Sequence, residues 1–352
     1  MALLFWDSFD HYATANILEK YQYMSGALQE VGAFGRYGTN GLRVTRNTTT
    51  LSSVRGPIKG YPQTVTVGFA LYIEALSGTD PGEMMRFYDS GETQFCVTVT
   101  AGGAVEARRP NFAGALLGTS AAGVIAAATW YYIEIQATID NVAGAVEVRV
   151  TDAGVETTVI NVAGVDTQGT THAYVSAFSL GGDGVQAGTY VQRFDDLYVL
   201  DGTGAQCNDF LGDTRICCLA PEGVGTHADW TPSAGANWQC VDEIPPTDDT
   251  DYNETLTPTD RDSFEMEDLP PAAAGVVHAV CAVMDYRKDD AGTRTLQPSV
   301  RTGGADHDGD GHNSPDDYAF HTMYAWEVNP DTAAAWVAAE VNALEAGYEL
   351  SA

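Results

Sequence analysis

Phe194–Asp213 reads F-D-D-L-Y-V-L-D-G-T-G-A-Q-C-N-D-F-L-G-D, and the rest of the chain is organised around it. Its first half is a strand. Phe194, Leu197, Val199 and Leu200, with Tyr198 among them, are types that suit a pleated, half-buried surface. Asp201-Gly202-Thr203-Gly204 then breaks the strand, because two glycines accept positive φ. Before this turn the sequence runs in glycine-rich alternating segments; after it come proline, tryptophan and dense acid. A boundary between two domains is therefore expected near Gly202–Asn208, with residues 1–203 on one side and 204–352 on the other.

Upstream of that stretch, Thr64–Ile73 (T-V-T-V-G-F-A-L-Y-I) and Trp130–Ile139 (W-Y-Y-I-E-I-Q-A-T-I) alternate strictly enough to mark two faces. Asn141–Gly144 turns the second into V-E-V-R-V at Val146–Val150. The result is an antiparallel hairpin with one buried face, on which Glu134, Glu147 and Arg149 point outward. Further strands are expected at residues 2–6, 42–44, 85–88, 94–100, 104–108 (after a Gly102-Gly103 turn), 157–162, 171–180 and 190–200. A dozen short strands at this spacing is the pattern of a double-sheet jelly roll. Gly181-Gly182-Asp183-Gly184 is a loop between two of them, not a strand–helix phosphate cradle.

Downstream, strands are expected at Thr214–Leu219, at Val276–Arg287, at Thr293–Thr302 pairing back on the latter, and at Ala319–Val328. Asn329-Pro330-Asp331-Thr332 then opens a helix over 331–346, with Val337, Val341 and Leu344 on one face and Gly347 as its terminator. The predicted fold class is all-β: an N-terminal jelly-roll β-sandwich followed by a smaller β-sandwich with one C-terminal helix. No internal repeat and no heptad pattern is present, so the chain has no fibre shaft of its own.

Composition bounds the function. At 352 residues there is room for two cores. Seventeen Lys+Arg against 48 Asp+Glu give a net charge of −31. Such a surface repels nucleic acid, which is held by clustered basic residues; Arg108-Arg109 and Arg287-Lys288 are the only adjacent basic pairs. No stretch approaches the ~20 apolar residues of a membrane span. The start, M-A-L-L-F-W-D, lacks a positive region and soon meets Asp7, so no signal peptide and no membrane insertion are expected. Six cysteines without a C-x-x-C spacing read as reduced thiols of a chain made in a cytoplasm.

The sharpest constellation is D-H-D-G-D-G-H-N-S-P-D-D at Asp306–Asp317. It fits D-x-D-x-D-G with an acid at position twelve, the spacing of a calcium loop. Asp306, Asp308 and Asp310 would supply carboxylates, Gly311 the turn and His312 its carbonyl. Asp317 stands where a longer bidentate glutamate is usual, and strands rather than helices flank the run. The expected metal is a structural Ca2+ that stiffens the loop; the alternative is an acidic hairpin tip solvated by water. Asp7, Asp10, Asp195 and Asp196 form a second acidic cluster if the first and last strands of the jelly roll pair, and there the simpler role is capping of turns. Trp230, Trp238, Tyr252 and Tyr286 lie near loops of the second domain, where they either stack on sugar rings or anchor a core. No catalytic motif appears: there is no G-x-S-x-G, no H-E-x-x-H and no P-loop.

Four stretches carry a family resemblance. An aspartate pair in a late strand, a D-G-x-G turn and N-D-F-L-G-D at Phe194–Asp213, and the F-x-D-x-F-D-x-Y start at Phe5–Tyr12, resemble virion proteins of tailed bacteriophages with a concanavalin-like, laminin-G-like jelly roll. The hairpin W-Y-Y-I-E-I with G-x-V-E-V-R-V looks like the centre of such a sandwich, and Trp336–Gly347 resembles the C-terminal helix of the same phage proteins. The resemblance implies a non-enzymatic structural protein of the virion, assembled in the host cytoplasm among other virion proteins. It implies a tail-tip or tail-fibre-associated place, homo-oligomeric with a trimer favoured, and contact with a host-surface glycan. Concanavalin-like domains also bind calcium or sugar near strand edges such as the one that would carry Asp7, Asp10, Asp195 and Asp196. Capsid decoration is the alternative place, and a glycan-degrading depolymerase the alternative activity.

Overall fold

A computed structural model of the protein describes residues 3–47, 50–76, 82–182, 189–273 and 275–352. The Asp183-Gly184 half of the glycine loop lies outside these residues. The chain divides into two compact units. One contains residues up to Gly204 together with Asn208–Ile216, and the other contains Ala205–Cys207 and Cys217–Ala352.

Among the described residues, fifteen strands build the first unit. They are β1 (Leu3–Asp7), β2 (Tyr23–Ser25), β3 (Gln29–Gly32), β4 (Gly41–Arg46), β5 (Ser52–Pro57), β6 (Thr64–Ile73), β7 (Gly82–Asp89) and β8 (Glu92–Val99). They continue with β9 (Val105–Arg109), β10 (Ala115–Thr119), β11 (Trp130–Thr138), β12 (Gly144–Asp152), β13 (Val155–Val165), β14 (Ala177–Gly182) and β15 (Tyr190–Leu200). One sheet has the order β13-β12-β11-β6-β15-β4-β3, with β1 also on β15; the other has the order β10-β9-β8-β7-β14-β5-β2. Every pairing is antiparallel. Phe5, Phe69, Phe87, Phe95, Phe178 and Phe194 are buried, and the Phe178 ring meets Phe5 edge-on across the sandwich at 5.2 Å. Each such side chain stabilises by about 1.5–3 kcal/mol through burial.

The strict alternation of β11 works as expected on one face. Ile133, Ile135 and Ala137 are buried in the core, and β11 pairs in register with β6 from Trp130↔Tyr72 to Thr138↔Thr64. The other face departs from expectation. Glu134, read as pointing to solvent, is 1% exposed. The segment Asn208–Ile216 returns across this face, and the Gly212 N–H and Tyr198 hydroxyl both donate to Glu134 Oε1. The expected strand Thr214–Leu219 is not formed, because Thr214–Ile216 belongs to this strap. Thr171–Ser176 is also a loop, and β14 begins only at Ala177.

The second unit contains β16 (Pro221–Ala228), β17 (Thr231–Pro232), β18 (Asn253–Glu254), β19 (Arg261–Met266), β20 (Val280–Tyr286), β21 (Thr295–Thr302), β22 (Ala305–Asp308), β23 (His312–Asn313), β24 (Ala319–Trp326) and β25 (Glu345–Leu350). The main sheet has the order β16-β19-β25-β21-β22, with β23 on β21, while β20 pairs with β24 and β17 with β18. Two expectations are corrected here. Residues 293–302 do not pair back on 276–287; β21 lies between β25 and β22 instead. The helix expected over 331–346 is reduced to one turn, Ala338–Val341, and the chain then becomes the strand β25. The reason is period: Leu344, Tyr348 and Leu350 are buried while Glu345 and Glu349 alternate with them. Gly347 does not end a helix. A Cβ there would lie 2.0 Å from the Asp262 carbonyl oxygen of β19, so glycine is what lets β25 enter the sheet.

Candidate functional site: an aromatic recess over a buried arginine–carboxylate cluster

The site begins with a bulge. Successive residues of a strand face opposite ways, yet the pairing of β15 with β6 shifts register between Asp195 and Tyr198, and Asp196 has φ +50°. The bulge gathers both carboxylates around Arg36 on the turn before β4. Asp195 Oδ2 accepts the Arg36 backbone N–H at 2.7 Å, and Asp196 Oδ2 accepts Nε at 2.8 Å. From the strap, Asp213 Oδ1 accepts Nη1 at 2.6 Å and the Thr214 carbonyl accepts Nη2 at 2.8 Å. The Ile216 N–H closes the ring of bonds on Asp196 Oδ1 at 2.7 Å. A planar guanidinium suits this many fixed partners. One arginine thus fastens the bulge of β15 to the returning strap.

Burial, then the charge of Asp196, push the Asp195 carboxyl well above the ordinary carboxylate range. Burial pushes Asp10, whose Oδ1 accepts the Asn40 N–H, up to about 6. Burial also raises Asp196, with Arg36 opposing it. Asp7, the remaining member of the sequence-stated acidic group, stands apart chemically. Burial pushes it up, but the Lys20 ammonium at 3.0 Å leads the groups that outweigh this and hold it below the usual range. It accepts hydroxyls from Tyr12 and Tyr21, both at 2.8 Å, and the Phe9 N–H. Asp7 therefore caps local backbone at Phe9, as aspartates in turns do, whereas Asp10 reaches the Asn40 N–H on the turn before β4.

Above this cluster opens a recess of about 330 Å³. Its walls are Tyr37, Trp130, Tyr131 and Tyr132, its rim is the Thr151–Gly154 end of the β12–β13 hairpin, and Arg36 and Asp213 complete it. Tyr37 is 61% exposed and held at φ +59°. The Arg36 and Arg215 guanidinium groups lie 5.0 and 4.6 Å from its ring centroid. Arg36 also lies 5.2 Å from the centroid of the Tyr132 ring, whose hydroxyl donates to the Asp196 carbonyl. Tyr131 and Tyr132 are buried, so the rings open to a ligand are Tyr37 and the half-buried Trp130; with the Asp213 carboxylate they can hold a ring with an apolar face and polar edges. Among the described residues the lining contains a single carboxylate, Asp213, whereas glycoside hydrolysis uses two flanking the bond.

The sequence-predicted calcium residues are arranged differently. Asp306 and Asp308 lie in β22, extended against β21, and His312 lies in β23 further along the same strand. Asp306 is paired with Arg301 at 2.9 Å and His227 at 3.0 Å. Asp308 is gripped by Arg261 at 2.6 and 2.9 Å. Asp310 and Asp317 are exposed. An extended run does not wrap around a point, and among the described residues no three His, Cys, Asp or Glu side chains converge as metal ligands would. These residues do not fit a calcium loop. The second-domain aromatics are also placed: Tyr286 is buried, Trp230 and Trp238 pack on the core around Phe264 and Tyr348, and Trp230 Nε1 donates to the Asp260 carbonyl.

The recess residues Arg36, Tyr37 and Asp213 went unread in the sequence. The one available signal was an arginine inside a glycine-rich turn of a chain poor in basic residues.

No family model matches the chain, and no curated protein matches it. Among solved structures, lectin II from Ulex europaeus aligns over 51% of this chain and 91% of its own, with 15% identity and a TM-score of 0.35. The binding domain of botulinum neurotoxin DC in complex with rat synaptotagmin II aligns over 51% of this chain and 42% of its own, with 8% identity and a TM-score of 0.35. A β-glucanase catalytic domain from Podospora anserina aligns over 54% and 88%, with 14% identity and a TM-score of 0.32. Scores this low carry no argument about ligand or activity.

Proposed function

We propose that this protein is a non-enzymatic, glycan-contacting component on the outside of a tailed-phage particle, at the tail tip or associated with its fibres. The observation that carries the glycan reading is the recess: an aromatic wall with one carboxylate fixed by Arg36. Aromatic faces take the apolar side of a pyranose, and a rigid carboxylate takes its hydroxyls. A single acid suits binding rather than cleavage. The virion reading rests on the resemblance of Phe5–Tyr12 and Phe194–Asp213 to phage proteins, and the net charge of −31 argues against a place in contact with DNA. The likeness of Trp336–Gly347 to a C-terminal helix no longer supports it, because only Ala338–Val341 is helical there and the chain enters β25 at Glu345.

Capsid decoration is the second reading, since a stable acidic module repeated on a shell needs no ligand. Quantitative gel densitometry of purified virions against the major capsid protein separates the two. A tail-tip protein is expected in a few copies, three or a multiple of three. A near-stoichiometric ratio moves the protein to the capsid, and absence from virions removes both places.

A further inference from the structure

A second arrangement, on different loops of the first unit, is built with more care than a plain connection needs. Gln94 of β8 is 0% exposed. Its Nε2 donates to the carbonyls of His172 (2.7 Å) and Tyr174 (2.9 Å), and its Oε1 accepts the N–H groups of Gly169 (2.8 Å) and Thr170 (3.1 Å). Two donors and two lone pairs are the whole capacity of a glutamine amide, and all four are spent on one loop. A Cβ at Gly169 would lie 2.4 Å from the Gln94 carbonyl oxygen, so only glycine allows this approach. At the end of β7, buried Asp89 Oδ2 accepts the Thr170 hydroxyl at 2.7 Å and faces His172 Nδ1 at 2.9 Å. Backbone bonds from Val175 N to the Pro62 carbonyl and from Ile58 N to the Ser176 carbonyl, both 2.9 Å, tie this loop to residues 58–62.

What this scaffold presents is a row of three rings. Tyr61 and Tyr174 centroids are 5.2 Å apart, and His172 stacks on Tyr174 at 5.1 Å with the planes 16° apart. Tyr61 is 62% exposed although its φ is +51°. A side chain in that region is strained, and here the strain secures little burial. The His172 side chain is 56% exposed. With Nδ1 against the Asp89 carboxylate, Nε2 is the ring nitrogen left for a ligand, an acceptor in the tautomer that carries its proton on Nδ1.

We infer that Tyr61, Tyr174 and His172, positioned by Asp89 and Gln94, form a second carbohydrate-binding platform, separate from the aromatic recess. It takes the apolar face of a neutral or amino-bearing pyranose on the exposed Tyr61 ring, with Tyr174 flanking it at 57°, and a hydroxyl or ammonium hydrogen on His172 Nε2. Polyanionic glycans are disfavoured by the charge of −31 and by Asp89 behind the histidine.

The test is a titration of the whole, histidine-15N-labelled protein with cellohexaose, chitosan hexamer and hexagalacturonate, followed by NMR at His172. The His172 Nε2 signal should move with cellohexaose or chitosan hexamer and not with hexagalacturonate. Tyr174→Ala should weaken that response at least about ten-fold. Tyr61→Gly should weaken it similarly without lowering Tm, because glycine is at home at φ +51°; a purely structural Tyr61 would lower Tm and leave the titration unchanged. Trp130→Ala, in the recess, should leave the His172 response intact. The inference is overturned by no shift at millimolar sugar or by a shift with hexagalacturonate alone. Loss of the response in Trp130→Ala, or a shift that follows protein concentration rather than sugar, would equally overturn it.

Discussion

Arg36 joins three carboxylate-bearing positions and one carbonyl, none of which is its neighbour in sequence. Removing it leaves Asp196 buried without its counter-charge. Breaking a buried pair from one side costs about 3–5 kcal/mol, so Arg36→Ala should lower unfolding free energy by that order in urea titration. A loss under about 1 kcal/mol would mean that the strap does not depend on it. Asp10 gives a pH test with a defined sign. Its carboxyl is raised from 3.8 to about 6 in the folded protein. Its favourable contribution is therefore complete below pH 3.8 and is lost as pH rises through about 6. Asp10→Asn does not titrate, so its Tm should gain on wild type between pH 4 and pH 7. A constant difference across that range would contradict the raised carboxyl. Asp306 and Asp308 make the opposite kind of pair, with arginines already in place. Millimolar calcium should accordingly leave Tm unchanged, and a calcium-dependent rise that Asp308→Ala abolishes would restore a metal site there.

At the scale of elements, the alternating strands were legible: β6, β11 and β12 lie where period two put them, and β15 lies where its apolar and aromatic residue types put it. What failed was reading short signals in isolation. Trp336–Gly347 has apolar residues at helical spacing and glycine at its end, yet Leu344, Tyr348 and Leu350 also alternate, and the sheet supplied β25 with partners on both sides. Local sequence could not see those partners. The same holds for Glu134, whose burial depends on a strap about 78 residues later in the chain. The recess was invisible for this reason: Tyr37, Trp130 and Asp213 come from three distant segments. The β25 assignment can be checked directly. In a helix, Gly347→Ala would be neutral or stabilising by up to ~1 kcal/mol. In the strand, where the added Cβ meets the Asp262 carbonyl, it should destabilise by more than about 2 kcal/mol, read from chemical denaturation.

For the whole molecule, one recess held by one arginine is what joins an acidic, all-β chain to the proposed glycan-facing role. The most direct test measures binding of the purified protein to polysaccharide extracted from host cells of the proposed particle. Surface plasmon resonance would compare the protein carrying Tyr61→Gly, which weakens the other platform inferred above, with the same protein carrying Trp130→Ala as well. The account predicts saturable binding by the first and a loss of at least about ten-fold in the second, with Tm unchanged between them. Equal affinity of the two proteins, or no binding by wild type to any such polysaccharide, would contradict it.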